Sequence, residues 1–352
     1  MLDKLIAAIP QKLDGVLILS EENRRYFTGF SSSDGILLVT RNGSIFLTDS
    51  RYIEEARNRV TVCPVEELKN TKIQLPMYCE KFGCGTLGVE GDRMTVNQLS
   101  AYRRMLKPVT LTPSKTEEII NGIRAVKTEK EVNCIKRAQG IAEAAFEHIL
   151  GFIKEGVTEK EIALQLDYFM LQNGAEALSF ETIAVSGANS SKPHGVPTDK
   201  KVQRGDFITM DYGAVFEGYH SDMTRTVAVG EISSKQAQVY YTVLEAQLRA
   251  ISVLKAGVKC SDGDKAARDV IADAGYGDYF RHSTGHGVGI EIHETPNLSP
   301  KSKTVLTVNN IVTVEPGIYI PGEFGVRIED MVLIKKNNCE NLTKMKKELV
   351  IL

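Results

Sequence analysis

Five side chains in the second half of this sequence are of types that bind metal ions. They are four carboxylates and one imidazole, each within or beside an apolar run typical of a β-strand: Asp211, Asp222, His286, Glu315 and Glu329. An acidic side chain in such a run is costly to bury unless a cation compensates its charge. Taken singly, each is more often a turn, cap or structural residue. All five together favour a site that holds two divalent ions.

The first two carboxylates are predicted to meet on a hairpin. Asp211 and Asp222 are eleven residues apart in MDYGAVFEGYHSDMTRT (210–226), with the turn-prone FEGY between them. Two antiparallel strands joined in this way can bring both carboxylates onto one face. Alternation along the second strand puts Thr224 on the same side as Asp222.

The other two carboxylates repeat this arrangement further along the chain. Glu315 and Glu329 are fourteen residues apart around a Pro-Gly turn. Arg327 lies two residues before Glu329 and is expected to project to the same side. His286 lies in the glycine-flanked run TGHGVG, where small residues allow close approach of the backbone to an ion.

This set of ligands predicts hydrolytic chemistry. Carboxylate oxygens with a single imidazole suit Mn²⁺, Co²⁺, Fe²⁺ or Zn²⁺, and the lack of cysteine ligands argues against a structural zinc. Two such ions about 3.5–4 Å apart can share a water and lower its pKa toward neutrality, which yields a hydroxide nucleophile. The sequence contains no GxSxG motif, no Walker motif and no Rossmann fingerprint after a predicted strand, any of which would indicate a different chemistry.

Composition excludes several other classes of protein. The chain has 352 residues, of which 43 are Lys or Arg and 45 are Asp or Glu, so its net charge of −2 gives no reason to expect nucleic acid or an anionic membrane as partner. No segment reaches the roughly 20 apolar residues that span a bilayer, and the N-terminus does not read as a secretory signal. We therefore expect a soluble, cytoplasmic protein.

The length and the order of predicted elements indicate two α/β domains, at residues 1–120 and 121–352. In the first, strands are predicted at 15–20, 35–40, 44–49 and 108–114, and helices at 51–60 and 94–106. In the second, helices are predicted at 129–152, 158–173, 234–256 and 261–275, and strands at 207–214, 221–229, 310–319 and 325–334. The sequences TEKE at 128–131 and 158–161 match the capping box of a helix start.

Around its metal-ligand motifs, the second domain resembles the pita-bread metallopeptidases, which include methionine aminopeptidase, aminopeptidase P and prolidase. The first domain is similar to the creatinase/prolidase N-terminal domain, in segments such as RRYFTGF (24–30) and LTDSRY (47–52). The resemblance implies a pita-bread catalytic domain behind a creatinase-type α/β domain. The extra domain favours the Xaa-Pro branch over methionine aminopeptidase.

The resemblance also implies a role for each ligand. Asp211 would bind the first metal, Asp222 and Glu329 would bridge both, and His286 and Glu315 would bind the second. Glu315 would in addition shuttle a proton. The implied cofactor is a pair of divalent ions, expected to be Mn²⁺, with Co²⁺, Zn²⁺ or Fe²⁺ as alternatives.

Further residues correspond to substrate-contacting positions of the family. His194 in SKPHGVP would contact the substrate near the scissile amide, and His293 in IHETP would stabilise the oxyanion. His282 and Arg327 would line the proline-side pocket, whereas Tyr319 is interpreted as a packing residue.

The implied reaction is hydrolysis of the bond between an N-terminal residue and a following proline, on a proline-containing peptide, by a homodimer. Prolidases tend to place an arginine just after the HExP motif, where this chain has Asn297. We therefore expect an Xaa-Pro aminopeptidase, with an Xaa-Pro dipeptidase (prolidase) as the alternative. A pita-bread protein that binds a partner without catalysis is a further alternative, disfavoured because all five ligands are present.

Overall fold

The computed structural model describes residues 1–113 and 115–352, which form two compact units, Met1–Arg124 and Ala125–Leu352. The boundary placed from the sequence, between residues 120 and 121, lies within a helix that runs to Ala125. In the described residues, no helix is both long and apolar enough to cross a lipid bilayer.

The first unit is a mixed sheet flanked by helices. Its helices are α1 (Leu2–Ala8), α2 (Glu21–Thr28), α3 (Ile53–Arg59), α4 (Thr71–Lys81), α5 (Val96–Met105) and α6 (Thr116–Ala125). Its strands are β1 (Gly15–Ile18), β2 (Ile36–Thr40), β3 (Gly43–Thr48), β4 (Val65–Glu67), β5 (Thr86–Val89) and β6 (Thr110–Thr112). The sheet order is β4-β3-β2-β1-β5-β6, in which β1 pairs antiparallel with β2 and parallel with β5.

The apolar runs of this unit become strands because both faces of the sheet are covered. Every residue of β1 and of β2 is buried, as continuous apolar strands require. The strand predicted over 108–114 is shorter in the structure, and its last residue, Ser114, lies outside the described residues.

The second unit begins with long helices whose starts are set by capping boxes. Its helices are α7 (Glu129–Leu150), α8 (Glu159–Gln172), α9 (Ser234–Val253) and α10 (Cys260–Asp273). Both predicted capping boxes are confirmed: Thr128 pairs with Glu131 at α7, and Thr158 pairs with Glu161 at α8. Each box satisfies backbone N–H groups that have no partner within the helix.

The strands of the second unit form small antiparallel sheets beneath these helices. They are β7 (Ala177–Leu178), β8 (Ile183–Ser186), β9 (Phe207–Tyr212), β10 (Ala214–Phe216), β11 (Tyr219–His220), β12 (Met223–Ala228), β13 (Gly285–Gly287), β14 (Glu294–Leu298), β15 (Ile311–Val314), β16 (Gly317–Ile320), β17 (Phe324–Arg327), β18 (Asp330–Ile334) and β19 (Cys339–Asn341). The sheet orders are β11-β10-β7, β12-β9-β8, β14-β13-β15-β18-β19 and β16-β17. Helices α7 and α8 pack on Ile208 and Met210, whereas α9 and α10 pack on Val314 and Val332.

Two strands predicted as continuous are each broken in the structure. The run predicted over 310–319 divides into β15 and β16, and the run over 325–334 divides into β17 and β18. Both breaks fall beside a glutamate. Pro316 contributes to the first break because it has no N–H to donate to a ladder. Glu315 and Glu329 therefore lie at interruptions of the sheet, not inside regular strands.

Candidate metal centre

All the residues predicted to act in the site line one cavity of about 670 Å³ in the second unit. They are Asp211, Asp222, His286, Glu315 and Glu329 from the metal set, and His194, His282, His293 and Arg327 from the substrate set. Residues 135 positions apart in the chain thus share one wall.

The first pair of carboxylates is positioned by the antiparallel pairing of β9 with β12. Asp211 lies opposite Thr224 in this register, and Asp222 directly precedes β12. The hairpin predicted from the sequence is therefore present. Asp222 is buried, and burial together with the neighbouring Glu329 carboxylate raises its pKa well above the usual range.

The second pair faces each other across the interrupted ladder. Val314 pairs with Asp330 on one side of the break and Gly317 with Arg327 on the other, in one shared register that places Glu315 opposite Glu329. Their backbone N–H groups leave this ladder: that of Glu315 donates to Thr284 O at 2.8 Å and that of Glu329 to Thr224 O at 3.1 Å. These diverted bonds tie Glu315 to the residue before β13 and Glu329 to β12.

His286 completes the set with an available ring nitrogen. Its Nδ1 lies 3.0 Å from Gly287 O, so Nδ1 carries the proton and donates it to that carbonyl. Nε2 is then free to bind a metal, and it lies 3.4 Å from Asp222 Oδ2 and 3.6 Å from Glu315 Oε1. Burial lowers the pKa of His286, which favours the neutral form that a metal ligand requires.

The electrostatics of this cluster fit divalent cations. Ligand atoms of Asp222, His286 and Glu329 all lie within 4.8 Å of one another. Burial also raises the pKa of Glu329 well above its usual range and that of Glu315 to about 8. In the described part of the chain, Asp211 Oδ1 and Glu329 Oε1 are buried without a hydrogen-bond partner. Crowded carboxylates with unpaired oxygens are a destabilising arrangement unless positive charge joins them.

A basic and aromatic cluster borders the carboxylates. Arg327 donates from Nη2 to Asp211 Oδ2 at 2.5 Å and from Nη1 to the Tyr319 hydroxyl at 2.8 Å. The same hydroxyl lies 3.0 Å from His282 Nε2. Burial, with Arg327 nearby, lowers the pKa of His282 to about 4, so its ring is neutral near pH 7. Tyr319 therefore does more than pack, because its hydroxyl links two residues of the cavity wall.

Thr224 is a second residue whose part in the site the sequence analysis missed. Its hydroxyl donates to Glu329 Oε2 at 2.7 Å and accepts from Arg327 Nε at 3.0 Å. The available signal was alternation, which placed Thr224 on the side of Asp222. Nothing in that pattern showed that the second hairpin would supply its partners.

The two histidines expected near the scissile amide are on separate segments. The ring of His293 lies 4.3 Å from that of His286, measured between centroids. Burial, with His286 nearby, lowers the pKa of His293. His194 is exposed on the cavity wall, between the turn Gly187–Ser191 and β9.

Comparison with known proteins agrees with this geometry. Residues 133–336 match metallopeptidase family M24, and residues 2–126 match the creatinase/prolidase N-terminal domain. A solved structure described as an Xaa-Pro dipeptidase from Bacillus anthracis is 42% identical, with a TM-score of 0.96 over 100% of this chain and 99% of that one. A solved X-Pro aminopeptidase from Thermotoga maritima is 37% identical, with a TM-score of 0.92 over 100% and 99%.

An Xaa-Pro dipeptidase of Pyrococcus horikoshii is 39% identical over 96% of this chain and 95% of that protein. Some of these similar proteins are thus named as Xaa-Pro dipeptidases and one as an X-Pro aminopeptidase. With its cluster of carboxylates and histidine, the chain is a metallo-exopeptidase that belongs to metallopeptidase family M24 and carries a creatinase/prolidase N-terminal domain.

Proposed function

We propose that the protein is an Xaa-Pro aminopeptidase that removes the N-terminal residue from peptides whose second residue is proline. The observation that carries the proposal is the convergence of four carboxylates and His286 on one cavity wall beside the Arg327, Tyr319 and His282 cluster. The names of similar proteins, an X-Pro aminopeptidase and Xaa-Pro dipeptidases, support the proline specificity.

The proposed cofactor is a pair of divalent ions, with Mn²⁺ as the expected metal. Asp211 would hold one ion, His286 and Glu315 the other, and Asp222 and Glu329 both. When bound, the ions supply Lewis-acid polarisation of the scissile carbonyl and lower the pKa of the attacking water. The raised pKa values of Asp222 and Glu329 support this proposal, because they indicate that these crowded carboxylates need a positive charge nearby to be stable as anions.

The chain's own residues then handle the protons and the developing charge. Glu315 accepts the proton of the attacking water and delivers it to the proline nitrogen as the C–N bond breaks, which turns a poor leaving group into a neutral amine. His293, kept neutral by its lowered pKa, donates an N–H to the carbonyl oxygen as negative charge develops there. His194 orients the substrate next to the scissile bond.

The cavity suits a proline ring and an apolar first residue. Phe180, Ile183, Val196 and Ile292 contribute apolar surface to its wall. A proline amide has no N–H, so recognition has to come from shape and from groups that bind the carbonyl and the free α-amine. The Tyr319 hydroxyl holds His282 in place along this wall by a hydrogen bond, and Arg327 in turn donates to that hydroxyl.

The charges of the wall favour peptides over dipeptides alone. A dipeptidase needs a cation to bind the C-terminal carboxylate of its substrate. At the position where prolidases tend to have arginine, Asn297 lines the cavity. Among the described lining residues, Arg327 is the one with a permanent positive charge, and it is already bound to Asp211. Strict dipeptidase activity remains the second candidate, because close relatives carry that name.

The test compares three peptides on metal-stripped protein reloaded with Mn²⁺. Ala-Pro-Ala should be cleaved to release alanine, and Ala-Ala-Ala should be cleaved far more slowly. Cleavage of Ala-Pro alone would replace the proposal with the dipeptidase alternative. Failure to cleave any proline peptide would refute both. The proposal includes a homodimer, on the basis of the family resemblance, and light scattering should then give twice the mass of one chain.

A further inference from the structure

The segment that carries His194 has one short 3-10 helix, Gly187–Ser191, as its regular structure. We call residues 187–197 the His194 segment. Its second half, 192–197, is neither helix nor strand, yet Pro193, His194 and Val196 all line the cavity. A stretch without ladder hydrogen bonds needs other contacts to hold a side chain in one place.

One buried carboxylate binds both ends of this segment. Glu159 Oε1 accepts from the backbone N–H of Ser186 at 2.7 Å and from its hydroxyl at 3.0 Å, directly before the segment begins. Glu159 Oε2 accepts from the N–H of Thr198 at 3.0 Å and from its hydroxyl at 2.6 Å, directly after the segment ends. Asn189, inside the segment, donates to Oε1 at 3.1 Å.

Glu159 is fully buried, and its carboxylate oxygens are occupied by these contacts. The residue is 0% exposed, although charged side chains are rarely so fully buried. Hydrogen bonds to a carboxylate are roughly twice as strong as neutral ones, and the N-terminal end of α8 adds favourable partial charge. Loss of the charge would leave buried N–H groups without an acceptor.

A neighbouring glutamate on the same helix gives a natural contrast. Glu161 is exposed and closes the capping box of α8 by accepting from Thr158 N at 2.8 Å. Glu161 thus caps the helix, whereas Glu159 accepts hydrogen bonds from the residues on either side of the His194 segment. The sequence TEKE at 158–161 therefore contains two glutamates with different tasks.

We propose that Glu159 is a positioning residue for His194: its carboxylate fastens both ends of the segment and so holds His194 at the cavity wall. The inference rests on the proposed function for its effect on catalysis. Its structural part, the fastening of the segment, can be measured without any substrate.

The first experiment is hydrogen exchange on Glu159→Gln. The amide can keep the bonds from Ser186, but its NH₂ group cannot accept from Thr198 N, so the end of the segment is released. Backbone amides of residues 187–197 should exchange at least about 10-fold faster than in wild type, as expected for local opening. Glu161→Gln is the matched control and should leave these amides as in wild type. Unchanged exchange in Glu159→Gln would overturn the inference.

The second experiment is a double-mutant cycle in peptide hydrolysis. Glu159→Gln should lower kcat for Ala-Pro-Ala by about 10- to 100-fold with metal content unchanged, since small misplacements near the reacting atoms have effects of this size. In a His194→Ala background, the same change should lower kcat less than about twofold. Additive losses would mean that Glu159 does not act through His194, and would overturn the inference.

A substitute variant and the substrate-free exchange experiment keep the possible outcomes distinct. If Glu159→Gln does not fold, Thr198→Val removes one hydroxyl donor with the shape retained and takes its place in both experiments, with smaller effects of the same direction. If wild type cleaves no proline peptide, the proposed function fails, whereas the exchange result still decides whether Glu159 fastens the segment.

Discussion

At the scale of single residues, the carboxyl groups of the candidate metal centre have strongly raised pKa values. Burial and mutual repulsion raise the pKa of Asp222 and of Glu329 well above their usual ranges. Each group is costly as an anion in the metal-free protein and valuable as a ligand in the metal-loaded one. Burial therefore couples protonation, metal binding and stability at this site.

The first prediction concerns Asp222→Asn. The amide retains the shape of the side chain but removes one negative charge from the centre, so we expect bound Mn²⁺ to fall and peptide hydrolysis to drop at least about 100-fold. Metal analysis by mass spectrometry and initial rates on Ala-Pro-Ala check this. Asp199→Asn, at an exposed ion pair with Lys160, is the control and should retain both properties. Full metal content in Asp222→Asn would contradict the assignment of this ligand.

The second prediction is that the metal-free protein loses stability as the pH rises. Burial lifts the pKa of Glu315 from 4.5 to about 8. Between these values the folded protein keeps a proton that the unfolded chain has released, so the free energy of unfolding falls as the pH increases. Below about pH 6.5 the lowered pKa values of His282, His286 and His293 act in the opposite direction, because the unfolded chain binds protons that these buried rings do not. The Tm of EDTA-treated protein should therefore decrease between about pH 7 and about pH 8, in melts run at steps of about 0.25 pH unit.

Two comparisons test the cause of that decrease. Glu315→Gln cannot titrate, so its metal-free Tm should depend less on pH than that of wild type. Added Mn²⁺ should raise Tm most at the high end of the range, because deprotonated carboxylates bind metal better. A metal-free Tm that increases steadily from about pH 7 to about pH 8 would refute the prediction.

At the scale of elements, the close packing of strands aims the ligands. A Cβ placed on Gly285, next to His286, would lie 1.9 Å from Thr313 O, a distance that no real side chain tolerates. The strands β13 and β15 can lie this close because the residue has no side chain. The glycine-flanked run around His286 is therefore a packing requirement as well as room for an ion.

The third prediction compares two Gly→Ala substitutions. Gly285→Ala should force β13 away from β15, lower stability by at least about 2 kcal/mol and weaken metal binding through displacement of His286. Gly140→Ala, in the middle of α7 with no atom near the added Cβ, should instead raise stability by about 0.5–1 kcal/mol. Urea denaturation of both variants measures the difference. Equal changes in the free energy of unfolding would show that the contact between the added Cβ and Thr313 O is relieved without displacement of β13, and would contradict the prediction.

At the scale of the whole molecule, each unit has a hydrophobic core of its own. The first unit is built around residues such as Leu17, Leu38 and Leu87, and the second around Val243, Val314 and others. The proposed metal ligands all belong to the second unit, Ala125–Leu352. Metal binding should therefore stabilise one core directly.

The fourth prediction is that calorimetry resolves two unfolding transitions and that Mn²⁺ raises the Tm of one of them. The responsive transition belongs to Ala125–Leu352, because the ion binds only its folded form. Asp222→Asn should abolish the shift without moving the other transition. An equal metal-induced shift of both transitions would show that the unfolding of the two units is coupled and would contradict the prediction.

How much of this was available from the sequence depends on the range of each interaction. The capping boxes of α7 and α8 and the pairing of β9 with β12 were predicted correctly, because they depend on residues close in the chain. The breaks at Glu315 and Glu329 were not, because they depend on N–H groups diverted to Thr284 and Thr224. An apolar run with a proline or an acid in it gives no local sign of such a partner.

By itself, therefore, the sequence determined the fold class and the resemblance to a family, and it predicted which residues are the candidate ligands, since these lie in residue types and short spacings. Only the tertiary structure decided that Tyr319 joins His282 to Arg327 and that Glu159 fastens the ends of the His194 segment. Both are polar contacts in buried surroundings. Such contacts form because buried polar groups need hydrogen-bond partners, and the packing of distant strands and helices decides which polar groups are buried side by side.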